Sequence, residues 1–277
     1  MGRVVAKARR AWGGAVVLCC ATAWSVAPAM AQSPDDLARR LSNPVASLIS
    51  VPLQVNYDGR IGVRGKGSRF TLNIQPVIPI KLNEDWNLIS RTILPVINQS
   101  DIAPGVGSQA GVGDLVQSLF FSPSSPTASG LIWGAGPVVL APTGSDRLLS
   151  GRQWGAGPTA VALVQSRGWT AGVLANDIWS FAATASGARD ISTTFVQPFL
   201  SYTTADQWTF GLNTESTYDW VDGKLTVPVN ATIARLMRVG RQPVSLTAGL
   251  RYYALSPAAG PKGFGGRLAV TFLFPAQ

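Results

Sequence analysis

The sequence contains no histidine, and its only two cysteines, Cys19 and Cys20, lie near the N-terminus. Charged residues make up only 13% of the chain, well below the share found in an average soluble domain. After residue 31, no apolar run reaches the roughly 18 residues that a membrane-spanning helix requires. These shortages argue against a histidine general base, a cysteine metal site and helical spans beyond that point. They leave β-strands as the elements able to cross a membrane.

The first 31 residues have the pattern of a cleaved export signal. Four basic residues precede an apolar segment at 11–27, and residues 29–31 read Ala-Met-Ala, a small-x-small cleavage site. We expect cleavage after Ala31, which leaves 277 − 31 = 246 residues, removes both cysteines and lowers the formal net charge from +9 to +9 − 4 = +5. A retained transmembrane anchor is the alternative, and the short apolar segment argues against it.

Residues 32–47 are predicted to form one short helix. Asp35 and Asp36 would lie near its N-terminal end, and Arg39 and Arg40 near its C-terminal end, as the helix dipole favours. Two interpretations stay open. The segment is either a solvated periplasmic tail or a small plug that folds into or across the periplasmic mouth of a barrel.

Residues 48–277 are predicted to form the barrel itself. Between residues 70 and 75 apolar and polar side chains alternate strictly, which is typical of a strand with one apolar and one polar face. A break at 81–84 and a second strand follow, and this hairpin unit recurs. The twelve predicted strands are 48–57, 69–80, 85–97, 111–121, 130–140, 152–164, 169–181, 191–202, 207–218, 224–234, 243–253 and 264–274. The predicted fold is therefore all-β, a transmembrane antiparallel up-and-down β-barrel of about twelve strands with a short N-terminal helix.

The connections and the aromatic residues support this assignment. With both termini in the periplasm, the predicted outer loops (58–68, 98–110, 141–151, 182–190, 219–223 and 254–263) are mostly longer than the inner turns, as in outer-membrane barrels. Aromatic residues fall at both predicted rims, as a membrane protein requires. They are Trp86, Trp169 and Trp208 at the inner rim and Trp179, Phe181, Tyr218 and Trp220 at the outer rim.

Seven prolines conflict with regular strands. A proline has no N–H to give to the hydrogen-bond ladder, and a closed barrel has no edge on which to place it. The prolines are Pro76, Pro79, Pro95, Pro137, Pro158, Pro198 and Pro228. We expect bulges or strand breaks at these positions.

The last strand, GRLAVTFLF, places Leu268, Val270, Phe272 and Phe274 on one face. An aromatic residue close to the chain end resembles the C-terminal signal by which the barrel-assembly machinery recognises outer-membrane barrels. That machinery is an expected partner during biogenesis.

The pentapeptide Trp-Gly-Ala-Gly-Pro occurs twice, at 133–137 and 154–158, in neighbouring predicted strands. By alternation its glycines, Gly134, Gly136, Gly155 and Gly157, face the lumen. They either leave a bare patch of wall for a permeant or plug, or they let the wall bend.

Other polar residues are predicted to line the lumen: Asn73, Gln75, Arg91, Asn213, Glu215, Asn230, Arg251 and Arg267. The three arginines and Glu215 are consistent with two hypotheses. They form a constriction that selects solutes by charge, or an internal network of salt bridges that fills a narrow barrel.

Loop 58–68 carries Arg60, Arg64 and Lys66, which on the outer face could pair with lipopolysaccharide phosphates; a plain solvated loop is the other interpretation. Outer-membrane lipid and lipopolysaccharide are thus expected partners. Nucleic acid is not, because the positive charge is mild and scattered. No metal-ligand cluster or phosphate-binding glycine loop is present in the sequence, so we expect no cofactor and no enzyme activity.

Several segments resemble a known family: NPVASLISVPLQVNYD (43–58), LNIQPVIPIKLNEDWNLISRTILPVI (72–97), GVGDLVQSLFFSP (111–123), LIWGAGPVVLAPTG (131–144) and FLFP (272–275). They resemble bacterial outer-membrane transporters of the meta-pathway phenol-degradation family, some members of which are mislabelled "neuromedin U". The resemblance covers most of residues 35–277. It implies an outer-membrane barrel that passes small, aromatic or hydrophobic compounds, and it supplies no site residues.

The sequence therefore predicts an outer-membrane channel or transporter for an unspecified small molecule. The alternative is a closed barrel with a structural or surface-interaction role.

Overall fold

The computed structural model describes residues 34–274, with side chains described from Leu37. The predicted signal peptide and residues 275–277 lie outside the described residues. One helix, α1 (Pro34–Leu41), precedes fifteen strands. The strands are β1 (Ile49–Ile61), β2 (Gly67–Ile74), β3 (Val77–Lys81), β4 (Trp86–Ser100), β5 (Gln109–Val112), β6 (Leu115–Pro123), β7 (Leu131–Ala141), β8 (Gln153–Ser166), β9 (Trp169–Ala183), β10 (Ser192–Thr203), β11 (Trp208–Thr214), β12 (Ser216–Asp219), β13 (Lys224–Val239), β14 (Gln242–Leu255) and β15 (Gly263–Phe274).

These strands form one closed antiparallel barrel. Neighbours along the chain pair with each other, and the last strand, β15, pairs with β1 from Ile49↔Phe274 to Tyr57↔Gly266. Three of the barrel strands are each interrupted, giving β2 with β3, β5 with β6 and β11 with β12, so the barrel has twelve strands. The predicted fold class is confirmed. Across the described part of the chain, no helix is long and apolar enough to span a membrane.

Prolines explain the interruption between β11 and β12. Pro198 lies on the neighbouring strand β10. Residues 199–203 of β10 pair with β11 and residues 193–196 pair with β12, so residues 197 and 198 have no pairing partner on this side. Pro228 lies on the other neighbour, β13, next to a register shift, and its carbonyl accepts the N–H of Glu215 at 3.2 Å. Because neither proline can donate to the ladder, the strand between them leaves regular pairing at Glu215.

Other prolines coincide with further irregularities. Pro76 occupies the break between β2 and β3, and the Pro95 carbonyl accepts Gly113 N at 2.8 Å, at the break between β5 and β6. Pro137 of β7 and Pro158 of β8 lie opposite each other. The pairing of β7 with β6 is interrupted near Pro137, and the pairing of β8 with β9 is interrupted near Pro158. The expected irregularities therefore occur at six of the seven prolines. The prediction is wrong for Pro79, which lies within β3 and pairs with Ile89 of β4 without a register shift.

The outward face of the barrel is apolar. In β15, Leu268 is 65% exposed, whereas Arg267 is 6% and Leu273 is 1% exposed. The same alternation places Phe210 and Leu250 outward on β11 and β14, at 49% and 64% exposure. Large apolar side chains on the outer surface, with charged residues such as Arg267 buried inside, are the reverse of a soluble β-protein and suit contact with lipid.

The two ends of the barrel differ. At one end, called here the turn end, connections are short: β8 and β9 are joined by Arg167 and Gly168, both with positive φ (47° and 87°), as a two-residue hairpin turn requires. The opposite, loop end carries longer connections, among them 142–152 between β7 and β8.

Aromatic residues pair at both ends. At the turn end, Trp169 contacts Tyr202 with ring centroids 4.9 Å apart. At the loop end, Tyr218 contacts Trp220 with centroids 4.7 Å apart. Two separate aromatic bands are the pattern expected where a barrel meets the two interfaces of a membrane.

Candidate functional site: the barrel lumen

The N-terminal segment lies inside the turn end of the barrel. Leu37, Ala38 and Leu48 pack against Leu236 of β13 and Leu273 of β15, and all five are buried. On the opposite side, Gln165 Nε2 of β8 donates a hydrogen bond of 3.0 Å to the Arg39 carbonyl. Because these contacts reach the barrel wall from several directions, α1 and the residues after it occupy the lumen as a plug.

Val45 extends this plug to the wall formed by β4, β6, β8 and β9. It belongs to a buried cluster with Ile89, Phe120, Val161, Leu163 and Leu174. Ile89 and Phe120 have no solvent exposure at all. One side of the lumen is therefore dry and closely packed, which sequence alternation alone does not reveal.

The four glycines of the repeated pentapeptide lie on this dry wall. A Cβ on Gly134 would stand 3.2 Å from Val45 Cγ1 of the plug, so this glycine gives the plug room. A Cβ on Gly136 would collide with the Leu119 carbonyl oxygen, and one on Gly157 with the Asp177 carbonyl oxygen. A Cβ on Gly155 would stand 2.7 Å from Ile178 Cγ2. Gly136, Gly155 and Gly157 therefore let neighbouring strands approach closely. This favours the interpretation in which the glycines let the wall bend over the one in which they leave a bare patch for a permeant.

The opposite side of the lumen is polar and centres on Glu215. Its Oε2 accepts a hydrogen bond of 2.8 Å from Arg267 Nη2 and lies 3.4 Å from Arg251 Nη2. Arg267 Nε also donates to Asn56 Oδ1 at 2.8 Å. Glu215 lies at the break between β11 and β12, and its side chain reaches Arg251 of β14 past β13 and Arg267 of β15 past β13 and β14.

Two further groups extend this network toward the loop end. Asp58 Oδ1 accepts a hydrogen bond of 2.6 Å from Tyr253 Oη and lies 3.6 Å from Arg251 Nε, too far for a hydrogen bond. Arg69 Nε donates to Gln99 Oε1 at 2.8 Å. The sequence predicts Asp58 in an exposed loop, but β1 continues to Ile61 and buries it.

The amide residues lie nearer the turn end. Asn230, fully buried, donates through Nδ2 to Asn213 Oδ1 at 2.8 Å, and its own Oδ1 has no partner among the described residues. Arg91 Nη2 donates to Gln75 Oε1 at 3.2 Å. Asn73 shares the inward face of β2 with Arg69, opposite the outward and half-exposed Phe70.

A cavity of about 340 Å³ lies between this polar side and the plug. Its wall includes Gln75, Arg91 and Asn213 from the predicted set. Phe199 and Leu236 add apolar surface, and residues 38–48 of the plug close it on the turn side. Of the other predicted polar residues, Glu215, Arg251 and Arg267 form the ionic network beyond the cavity, and Asn73 and Asn230 are not among its lining residues.

At the loop end, the connection between β7 and β8 folds over the lumen. Asp114 accepts backbone N–H groups of Gly144 at 3.1 Å and Gly151 at 2.6 Å. Gln99, which faces inward on β4, donates to the Leu148 carbonyl at 3.3 Å. This connection therefore packs against the inward face of the wall near β4 and the break between β5 and β6.

No family model matches the sequence, and no curated protein matches it. Among solved structures, the chain is similar to the COG4313 outer-membrane channel from Pseudomonas putida F1. The TM-score is 0.66 and the identity 16%, over 82% of this chain and 96% of that one. This likeness shows the fold, a closed antiparallel β-barrel.

Weaker likenesses span several activities. The KdgM porin gives a TM-score of 0.48 at 9% identity, over 82% of this chain and 99% of that one. Outer-membrane phospholipase A from Escherichia coli gives 0.47 at 10% identity, over 82% and 91%. Because a porin and an enzyme score alike at this level, neither likeness carries an argument about function.

Proposed function

We propose that this chain is an outer-membrane channel that passes small molecules through its lumen. The observation that carries the proposal is the cavity inside the barrel, bordered by Arg91 and amide side chains in mid-wall. An arginine and amide groups on the wall of a lumen can form hydrogen bonds with a polar solute, as the lining of a channel does.

The surface of the barrel and the N-terminal sequence support an outer-membrane location. The apolar outward face and two aromatic bands suit a bilayer, and the predicted signal would bring the chain to it. The turn end, which holds the plug, would face the periplasm, and the loop end the outside. Arg60, Arg64 and Lys66 would then lie near lipopolysaccharide phosphates, and β15 would present its C-terminal signal to the assembly machinery.

The proposed solute is small and partly apolar. The resemblance to meta-pathway phenol-degradation transporters points to aromatic or hydrophobic compounds, and the cavity wall includes Phe199, Leu236 and Val77. A volume near 340 Å³ lies at the lower end of the range of small-molecule sites.

A closed structural barrel is the second candidate, and the plug favours it, because Val45 and α1 fill much of the turn end. Conductance across planar bilayers and swelling of liposomes separate the two. Ala234 lines the cavity, whereas Ala231 on the same strand is exposed on the outward face.

We expect the wild-type protein to give conductance steps, Ala234→Trp to reduce them by filling the cavity, and Ala231→Trp to leave them unchanged. Wild-type protein that folds in liposomes but gives neither conductance nor swelling would refute the channel and support the closed barrel.

A further inference from the structure

We infer that the lumen cavity is a binding site for a small organic carboxylate, with Arg91 holding the carboxylate group. This inference rests on the proposed channel and specifies the chemical class of its solute. The ionic state of the arginines, the charge of the cavity wall and the apolar surface opposite Arg91 each contribute to it.

Arg91 differs from the other arginines of the lumen. Arg251 and Arg267 both lie within 4 Å of Glu215, so their charges are compensated. Arg91 donates one hydrogen bond, to the neutral Gln75 at 3.2 Å, and no described carboxylate among residues 37–274 lies within 4 Å of it. Glu215 acts on Arg91 only from beyond that distance. A partly buried guanidinium has five N–H donors, and those that Gln75 leaves unused are suited to a planar carboxylate.

Arg91 gives the cavity wall a positive charge. Among the described residues that line the cavity there is no aspartate or glutamate. In a narrow cavity with low-dielectric walls the field of this charge is focused, which raises the local concentration of anions. A cation would meet the opposite field before reaching Glu215.

The rest of the cavity suits the body of an organic molecule. Val77, Phe199 and Leu236 supply apolar surface, and Leu41 of the plug faces the same space. Asn213 and Thr209 add polar groups that could contact ring substituents. A positive end and an apolar wall together match an amphipathic anion such as an aromatic monocarboxylate better than a sugar or an inorganic ion.

Gln75 positions Arg91 for this role. The Gln75 side chain is 8% exposed, and its backbone N–H is fixed to the Pro52 carbonyl at 2.9 Å, at the break between β2 and β3. Its Oε1 therefore orients the guanidinium without neutralising it.

The test compares benzoate with benzyl alcohol, a neutral molecule of similar size, by calorimetry on the full-length mature protein in detergent. Arg91→Gln removes the charge and Arg91→Lys keeps it. The matched control is Arg235→Gln, which removes an arginine that is exposed on the outward face and stacks on Trp208 at 4.9 Å. Slower migration after heating in SDS verifies that each variant is folded.

We expect wild-type protein to bind benzoate about tenfold more tightly than benzyl alcohol, as one charge-assisted hydrogen-bonded contact gives. Arg91→Gln should lose this preference, Arg91→Lys should keep most of it, and Arg235→Gln should be unchanged. Ala234→Trp should abolish binding of both molecules, because it fills the cavity.

Equal binding of benzoate and benzyl alcohol to the wild type, or a preference that survives Arg91→Gln, overturns the inference. Conductance without an Arg91-dependent preference leaves the channel standing and refutes the carboxylate site. An Arg91-dependent preference without conductance or swelling supports the site and refutes the channel.

Discussion

Replacing Glu215 by glutamine tests whether the ionic network of the lumen is dry. The side chains of Arg267, Arg251 and Glu215 are 6%, 12% and 19% exposed, so all three are largely withdrawn from solvent. Removing one partner of a buried ion pair costs about 3–5 kcal/mol, because the remaining charge is uncompensated. Here two arginines lose their shared carboxylate, but glutamine keeps an oxygen that can accept from Arg267, so we expect about 2–3 kcal/mol.

Equilibrium unfolding in urea, followed by tryptophan fluorescence in lipid vesicles or micelles, measures the loss. The matched control is Asp222→Asn, which also removes one carboxylate but belongs to an exposed ion-pair group with Arg189 and Lys224 at the loop end. We expect no resolvable change for this control, since exposed pairs contribute little.

A double-mutant cycle identifies the source of the loss. If it comes from the uncompensated charge on Arg267, then Glu215→Gln with Arg267→Gln should be less destabilised than the sum of the two single variants. Additive losses, or a Glu215→Gln protein as stable as the wild type, would show that water already screens these charges and that the network is not a dry one.

Three other predictions concern the wall, the surface and the loop end. Gly157→Ala should destabilise the barrel by about 1–3 kcal/mol, because the new Cβ meets the Asp177 carbonyl oxygen. The control Gly266→Ala, whose added Cβ has no heavy atom within 4 Å, should not be destabilised. Equal unfolding midpoints for the two variants would contradict this prediction. Tryptophan fluorescence should be strongly quenched by brominated lipids, since Trp169 and Trp179 are 51% and 50% exposed on the outward face; no quenching would contradict a lipid-facing surface. Hydrogen bonding from Lys224, with the nearby charge of Arg189, lowers the pKa of Asp222. The stabilisation from the Asp222 ion pairs is therefore present above the usual aspartate pKa near 4 and is lost as pH falls through the lowered pKa of Asp222. Titration of the Asp222 carboxyl ¹³C signal measures this pKa. A titration midpoint at or above 4 would contradict the prediction.

The strands could be predicted from the sequence because lipid imposes a strict alternation on each of them. A side chain in β15 either faces lipid, as Leu268 does, or the lumen, as Arg267 does, and the two environments select opposite residue types. The twelve predicted segments therefore match the barrel strands to within a few residues at their ends.

The ionic network could be predicted only in part. Alternation assigns Arg91, Arg251 and Arg267 to the lumen, but it does not tell which of them has a carboxylate partner. That depends on the break at Glu215, which arises from Pro198 and Pro228 on two different neighbouring strands. Their combined effect requires the strand register, which one sequence does not provide.

Among the described side chains, the middle of the lumen has more positive than negative charge. Four arginines (Arg69, Arg91, Arg251 and Arg267) face two carboxylates (Asp58 and Glu215). In a dry interior such an excess would be very costly, so either water or an anion must be present there. A large loss of stability in Glu215→Gln therefore means that the two compensated arginines lie in a dry pocket and that the anion site at Arg91 is the wet part of the lumen. A small loss means that water reaches Glu215 as well, which extends the solvated path from the cavity toward the loop end.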